Sequence, residues 1–395
     1  MKKLLFVSRG DSSEVPHGEI CLPALAHAGW DIEVVAPGAT ASLLHSVRPY
    51  PHRARELPRG RMKQELAIFR ELLKARFGSH EVICIHSQSL SARAYLALLG
   101  PLFGKKLIYH NPDYYDPFDY PLYFFFEKRF CKKLDLYLNN EFHRAYITRA
   151  AYGVRCPILT IPIMLPACWP FPERDTAVRQ EMCGGIDDGA FVLVLHGGYG
   201  EIRMTPELFD ALRLLPKHFR LVMFDREHRK TEVDRKLIEL GLADRVVRYP
   251  RMNVLQLAKY TVNADAGVLL YQNNDLGNFF TAPGRLTEYV GAGLPVVASN
   301  HTALENLVWR FDLGVTVDST KPRQIADAIL RLEGLKREGR FPTERMRKSF
   351  LENLAFDLWE PDICAAFDEV LLSPRERKRA GAPAFPWLKT KSGDP

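Results

Sequence analysis

Three short stretches of the chain combine residue types that hold anions and hydroxyls. The first is Thr281-Ala-Pro-Gly-Arg-Leu-Thr-Glu-Tyr-Val-Gly-Ala-Gly-Leu-Pro-Val-Val-Ala-Ser299, which reads as loop, helix, tight turn and strand. Pro283 suits a first helical turn, where its missing N–H has no partner in any case. Leu286, Tyr289 and Val290 recur at i, i+3 and i+4 and give one apolar face. Gly291 and Gly293 stop the helix, because a left-handed C-terminal residue is cheapest without a Cβ. Pro295-Val-Val-Ala298 is short, apolar and β-branched, as a strand buried on both faces is. The free N–H groups of a helix start face an anion. Arg285 there can clamp a phosphate, and the Glu288 carboxylate one turn on can accept two ribose hydroxyls. The second stretch is the apolar run Ala190–Leu195, followed by His196-Gly-Gly-Tyr-Gly200 and Glu201-Ile-Arg203. A glycine-rich turn between strand and helix lets backbone N–H groups approach phosphate. Its spacing is not that of a P-loop, since no Gly-Lys-Ser/Thr follows. The third feature is a pair of histidines at strand ends, His86 after Glu81–Ile85 and His110 after Lys106–Tyr109. Ligands of open α/β sheets bind beyond the carboxyl ends of strands, which singles out both rings.

The first stretch resembles the donor-site helix of retaining GT-B glycosyltransferases, those like glycosyltransferase family 4 (group 1). Their pattern is Pro-x-Lys-x-x-Glu-Tyr-x-x-x-Gly-x-Pro-Val-Val-Ala-Ser; this chain keeps nearly all of it, with Arg285 for the lysine. The resemblance implies two Rossmann-like domains facing a cleft, and a nucleotide-sugar donor. It implies that Glu288 holds the ribose, and that Gly197, Gly198 and Arg203 hold the pyrophosphate. Arg203 would neutralise charge growing on the leaving phosphate. It also implies that the first loop, around Gly10, reaches the donor phosphates and acceptor, and that His110 faces the transferred sugar. The loop Tyr249–Met252 matches where relatives hold the base through backbone, so Met252 is a donor contact, as is Thr281. Many relatives carry an earlier glutamate with seven residues between it and the one at Glu288; Phe280 stands there. A glycine usually follows the second strand of this half, where Asp225-Arg226 stand. The plain alternatives are a helix–strand unit of any α/β protein for the first stretch, a surface arginine for Arg203 and a packing histidine for His110.

These residues need rigid elements behind them. Leu4–Val7, a helix carrying Ile20, Leu22, Leu25 and Ala26, and Ile32–Val35 open a doubly wound sheet. The loop between them contains Arg9-Gly10-Asp11 and His17-Gly18, not G-x-G-x-x-G, and Ala36-Pro37 rather than an acid closes the second strand, so a dinucleotide fingerprint is missing. Residues 40–62 are basic, proline-containing and aperiodic, and read as a long surface loop. Helices at Gln64–Phe77 and Leu90–Leu99 and strands at Leu136–Leu138 and Ile158–Ile163 complete the first half. Asp113 and Asp116, in a tyrosine-rich loop, are candidate hydroxyl acceptors. Prolines 157, 162, 166, 170 and 172 mark a hinge. Strands at Arg220–Phe224, Arg245–Arg248, Ala266–Leu270, Pro295–Ala298 and Gly314–Val317 follow Ala190–Leu195. The resulting division is 1–165 for a Rossmann-like acceptor domain and 166–355 for a Rossmann-like nucleotide-sugar domain. Residues 356–373 read as a helix, which the GT-B resemblance implies crosses back to the first domain, and 374–395 as a basic, disordered tail.

Pro121–Leu134 is aromatic and basic. Leu122, Tyr123, Phe126, Phe130 and Leu134 share a side that packs on the sheet; Lys128, Arg129, Lys132 and Lys133 share another, with Phe125 among them. A basic face carrying a phenylalanine suits an anionic membrane surface, and a solvated basic face is the simpler alternative. The chain has 395 residues and a net charge of +7; the last 22 hold six basic against two acidic residues, leaving the body about +3. That is too little to argue for a nucleic-acid binder from charge alone, and none is expected. Seven scattered cysteines without a C-x-x-C pair argue against structural zinc or a disulfide framework and fit a reducing cytosol. No apolar run is long enough to span a membrane.

The expectation is therefore a metal-independent, retaining glycosyltransferase of GT-B fold, cytoplasmic or peripheral at the inner face of the membrane. It has no cofactor beyond its nucleotide-sugar substrate, a glycan or lipid-linked acceptor, and a place in surface polysaccharide or glycan assembly. A nucleotide-sugar 2-epimerase of the same fold and a non-catalytic nucleotide-sugar-binding scaffold are the alternatives.

Overall fold

The computed structural model describes residues 2–14, 18–86, 89–99, 104–115, 117–185, 189–225 and 230–372. His17, Asp116, Arg226 and the basic tail 374–395 lie outside them. The chain divides into two compact units. One runs Met1–Ile163 and takes back the chain from Phe356 onward; the other is Met164–Ala355.

The first unit holds a seven-stranded parallel sheet: β1 Lys2–Ser8, β2 Trp30–Ala36, β3 Arg53–Glu56, β4 Val82–His86, β5 Lys106–Asn111, β6 Leu136–Asn139 and β7 Ile158–Thr160. Its order is β3-β2-β1-β4-β5-β6-β7. The second unit holds six parallel strands: β8 Phe191–Leu195, β9 Phe219–Asp225, β10 Val246–Pro250, β11 Ala266–Leu269, β12 Val296–Ser299 and β13 Gly314–Val317. Their order is β10-β9-β8-β11-β12-β13. Both sheets are doubly wound. Strand order reverses between β1 and β4 in one and between β8 and β11 in the other, and a crevice opens at such a switch point. The central strands are continuous apolar runs because helices cover both faces; Leu4–Val7 and Phe191–Leu195 are buried throughout.

Three local expectations are corrected. Residues 40–62 are not one loop, because the chain forms a helix at Leu43–Val47 and then β3. All four side chains of β3 are exposed, so it lacks the apolar signature of its neighbours. Arg53 pairs with Asp31 at 3.1 Å and Arg55 with Glu33, which explains how a charged edge strand is held. Leu122 does not pack on the sheet: it is 61% exposed, and on the helix Pro121–Phe130 the fully buried side chains are Glu127 and Phe130. Glu127 turns inward because Arg93, equally buried, meets its Oε1 at 2.7 Å. Pro283 precedes the helix Arg285–Gly291 instead of entering its first turn, and Gly284 is the N-cap.

Candidate functional site

At the switch point of the second unit, β8 ends in His196 and the glycine turn, and β11 leads into Tyr271. The helix Arg285–Gly291 is seated beside them by a missing side chain. A Cβ on Gly267, in β11, would overlap the ring of Tyr289. Glycine therefore lets this helix lie directly on the strand. The helix stops as expected: Gly293 has φ +91°, and the Leu294 N–H reaches back to the Tyr289 carbonyl at 2.9 Å.

Two guanidinium groups converge on the glycine turn. A Cβ on Gly197 would lie 3.5 Å from Arg285 Nη1 and 3.8 Å from Arg203 Cγ. Arg285 Nη1 donates to the His196 carbonyl at 2.8 Å. Both cations sit against the ring of Tyr271, at 4.5 Å for Arg203 and 5.4 Å for Arg285. Burial pulls the Arg203 pKa below the ordinary arginine value; Tyr271 opposes this and the like charge of Arg285 adds to it. Among the described residues neither guanidinium has a carboxylate within 4.0 Å. Two partly buried cations against one ring are suited to an anion with several oxygens. A cavity of about 710 Å³ opens beside the turn, lined by Gly198, Tyr199, Arg203, Asp225, Glu232 and Gln272. A Cβ on Gly198 would overlap Asp225 Oδ1, so a larger residue here requires the Asp225 side chain to move.

Glu288 is buried, with 5% of its surface exposed. Its Oε2 lies 2.6 Å from His196 Nδ1, and His196 Nε2 lies 2.7 Å from Thr261 Oγ1. The His196 backbone N–H donates to the Tyr289 hydroxyl at 2.8 Å. Sequence reasoning missed His196, Thr261 and Tyr271. Only the position of His196, directly before two glycines at a strand end, was a usable signal. The structure thus brings together Gly197, Gly198, Arg203, Arg285 and, through His196, Glu288. Met252 stands half-exposed on the loop after β10, and Thr281 is buried on the loop after the short helix Leu276–Phe279. Among the described residues, neither shares a hydrogen bond with that group. Phe280, at the position of the earlier glutamate in the resembled pattern, packs edge-on against Phe279 at 5.1 Å.

The remaining two candidates belong to the first unit, at its own switch point. The Gly10 N–H donates to Ser8 Oγ at 3.0 Å, and Ser8 Oγ is 3.0 Å from His86 Nδ1. His110 is 2% exposed, with its ring 4.6 Å from that of His86. The Asn140 amide donates to the Pro112 carbonyl at 3.1 Å, so its Oδ1 accepts from His110 Nε2 at 2.9 Å. His110 Nδ1 is then a buried lone pair with no hydrogen-bond partner among the described residues. Burial lowers the His110 pKa to about 4, with Asn140 opposing. A neutral imidazole of this kind accepts a hydrogen bond from a hydroxyl.

No family model matches the chain, and no curated protein sequence is significantly similar to it. Solved structures are. Sucrose-phosphate synthase from Thermosynechococcus elongatus matches at 15% identity and a TM-score of 0.74, over 94% of this chain and 99% of that one. Anabaena HepE in complex with UDP-glucose matches at 15% identity and 0.68, over 93% and 100%. A glycosyltransferase from Rickettsia africae matches at 14% identity and 0.69, over 94% and 98%. At such identities the likeness concerns architecture, and it agrees with the two strand orders: the chain has the GT-B fold, built from two Rossmann-like units.

Proposed function

We propose that the chain is a glycosyltransferase that moves a sugar from a nucleotide-sugar donor to an acceptor hydroxyl. The observation that carries this reading is the convergence of Arg203 and Arg285 on Gly197, with Glu288 one turn further along the same helix. Pyrophosphate oxygens lie against the two guanidinium groups and the glycine-turn amides, and Glu288 takes ribose hydroxyls. As the bond between sugar and phosphate breaks, negative charge grows on the leaving diphosphate. Donors already aimed at that position stabilise the transition state more than the ground state. Two fixed cations supply this without a metal ion. The bound UDP-glucose of HepE supports the same donor class here. Retention at the anomeric carbon is what the helix motif implies. His110, with its bare Nδ1, is suited to hold a hydroxyl of sugar or acceptor.

A lipid-linked acceptor and a peripheral membrane location are part of this reading. On the helix Pro121–Phe130 and the residues just before it, Phe118, Leu122 and Phe125 are 94%, 61% and 60% exposed. Lys128, Arg129 and Lys132 line a shallow depression with Phe124 and Phe125. Apolar rings flanked by cations suit an anionic bilayer surface. No helix among the described residues is long and apolar enough to cross a membrane.

The test is release of nucleoside diphosphate from a panel of UDP, GDP, ADP and dTDP sugars, with and without candidate acceptors. Acceptor-dependent release, lost in Arg203→Ala and Glu288→Ala while the proteins stay folded, is expected. Wild-type turnover in both variants removes the site assignment, and release without any acceptor favours the epimerase. Sedimentation with phosphatidylglycerol vesicles tests the membrane element. Binding weakened by Phe125→Ser with Lys128→Ser supports it, and no binding by the wild type removes it.

A further inference from the structure

We infer that His196 and Glu288 share one proton, and that this proton lets a glutamate sit in an anion-binding site without repelling the ligand. The inference rests on the donor-site reading above and assigns His196 as a positioning residue within it.

The proton count follows from the hydrogen bonds. Thr261 Oγ1 donates its single hydrogen to the Leu257 carbonyl at 2.7 Å. It can meet His196 Nε2, 2.7 Å away, only as an acceptor, so that nitrogen carries a hydrogen. The other ring nitrogen, Nδ1, lies 2.6 Å from Glu288 Oε2. A lone pair and a carboxylate oxygen do not approach this closely in a buried site, so a second proton lies between them. Wherever it sits, as imidazolium with carboxylate or as imidazole with carboxylic acid, the pair carries no net charge.

The surroundings make that neutrality matter. The His196 and Glu288 side chains are 3% and 6% exposed. Among the described residues, the titratable and charged groups around them include Arg285 and Tyr289 from the helix of Glu288, Arg203 beyond the glycine turn, Tyr271 under both arginines, Asp225 at the end of β9 and Tyr260 next to Thr261 in the chain. The two arginines hold positive charge for the ligand's phosphates. A bare carboxylate beside them would cancel part of that field. It would also repel the diphosphate through a medium that screens poorly. With the proton present, the pair adds no net negative charge to oppose the two arginines. The Thr261–His196 bond fixes the ring plane, and thereby which carboxyl oxygen is committed.

Two measurements on the full-length protein test this. The first needs no ligand: ¹⁵N spectra of the histidine rings at neutral pH. Two protonated or hydrogen-bonded nitrogens on His196, with the Nδ1 signal lost in Glu288→Gln, are expected. A neutral ring with a bare Nδ1 in the wild type overturns the inference. The second is calorimetric titration of UDP, GDP, ADP and dTDP, together with the nucleoside matching whichever diphosphate binds tightest. His196→Gln removes the shared proton and is expected to weaken the diphosphate about tenfold, the order expected for one unit charge nearby, and the bare nucleoside far less. Equal weakening of nucleoside and diphosphate overturns the charge role. If the wild type binds none of the diphosphates, the donor-site reading falls and the charge role with it. The ring spectra then still decide whether the proton is shared.

Discussion

The carboxylate of Glu288 lies 2.6 Å from the imidazole of His196, a residue 92 positions earlier in the chain. The contact joins the end of β8 to the helix beyond β11 across the switch point of one sheet. It exists because Gly267 lets Tyr289, the neighbour of Glu288, lie flat on β11.

Gly267→Ala is therefore expected to push the helix Arg285–Gly291 away from its strand. The overlap falls on a ring that is fully buried, so the cost is that of overpacking, about 1–3 kcal/mol. Urea denaturation measures it. Combining the change with Tyr289→Leu, which vacates the space, should recover part of the loss; strict additivity of the two would contradict the proposed coupling.

His110 makes the first unit sensitive to acid. Its folded pKa, about 4, lies below the ordinary histidine value of 6.5. The unfolded chain binds the extra proton first, so the contribution is fully present above pH 6.5 and is lost as pH falls from there toward 4. The gap corresponds to about 3 kcal/mol. His110→Gln should flatten the fall in stability between pH 7 and pH 4.5, measured by denaturant midpoints. An unchanged acid profile would show that the ring is not buried as described.

Arg93 and Glu127 form an ion pair without solvent contact, 2.7 Å apart, with the Arg93 guanidinium 4.1 Å from the ring of Tyr123. Burial raises the Glu127 pKa and Arg93 opposes that rise. Glu127 also accepts from the Tyr109 hydroxyl at 2.9 Å. Arg93→Met leaves the carboxylate buried and uncompensated, and is expected to cost about 3–5 kcal/mol. Arg93→Met with Glu127→Leu should cost less than the single change. Thermal and urea unfolding of the three proteins decide it.

The fold was largely readable because a parallel strand buried on both faces has to be a continuous apolar run, and Leu4–Val7, Phe191–Leu195 and Val296–Ala298 are such runs. What escaped reading was set by partners distant in sequence. β3 is charged and exposed, so only its pairing with β2 reveals a strand. Glu127 looks like part of a solvated helix face until Arg93 is placed opposite. In the candidate site, Arg203, Arg285 and Glu288 stood out because phosphate and hydroxyl chemistry demands those types near glycines and helix starts. Tyr271 did not, since an aromatic at a strand end looks like core. His196 was in plain view, but its role depends on Thr261 and Glu288, and no local spacing encodes that.

The central claim, that the second unit binds a nucleotide sugar through Arg203, Arg285 and Glu288, is tested most directly by thermal unfolding. UDP, GDP, ADP and dTDP sugars are compared on the wild type, Arg203→Ala and Arg285→Ala. A ligand at 100 times its Kd stabilises the folded protein by about 2.7 kcal/mol. The account predicts a clear rise in Tm with one nucleotide family, abolished in both variants while their unliganded Tm stays near that of the wild type. No rise with any of the four, or an equal rise in the variants, would contradict it.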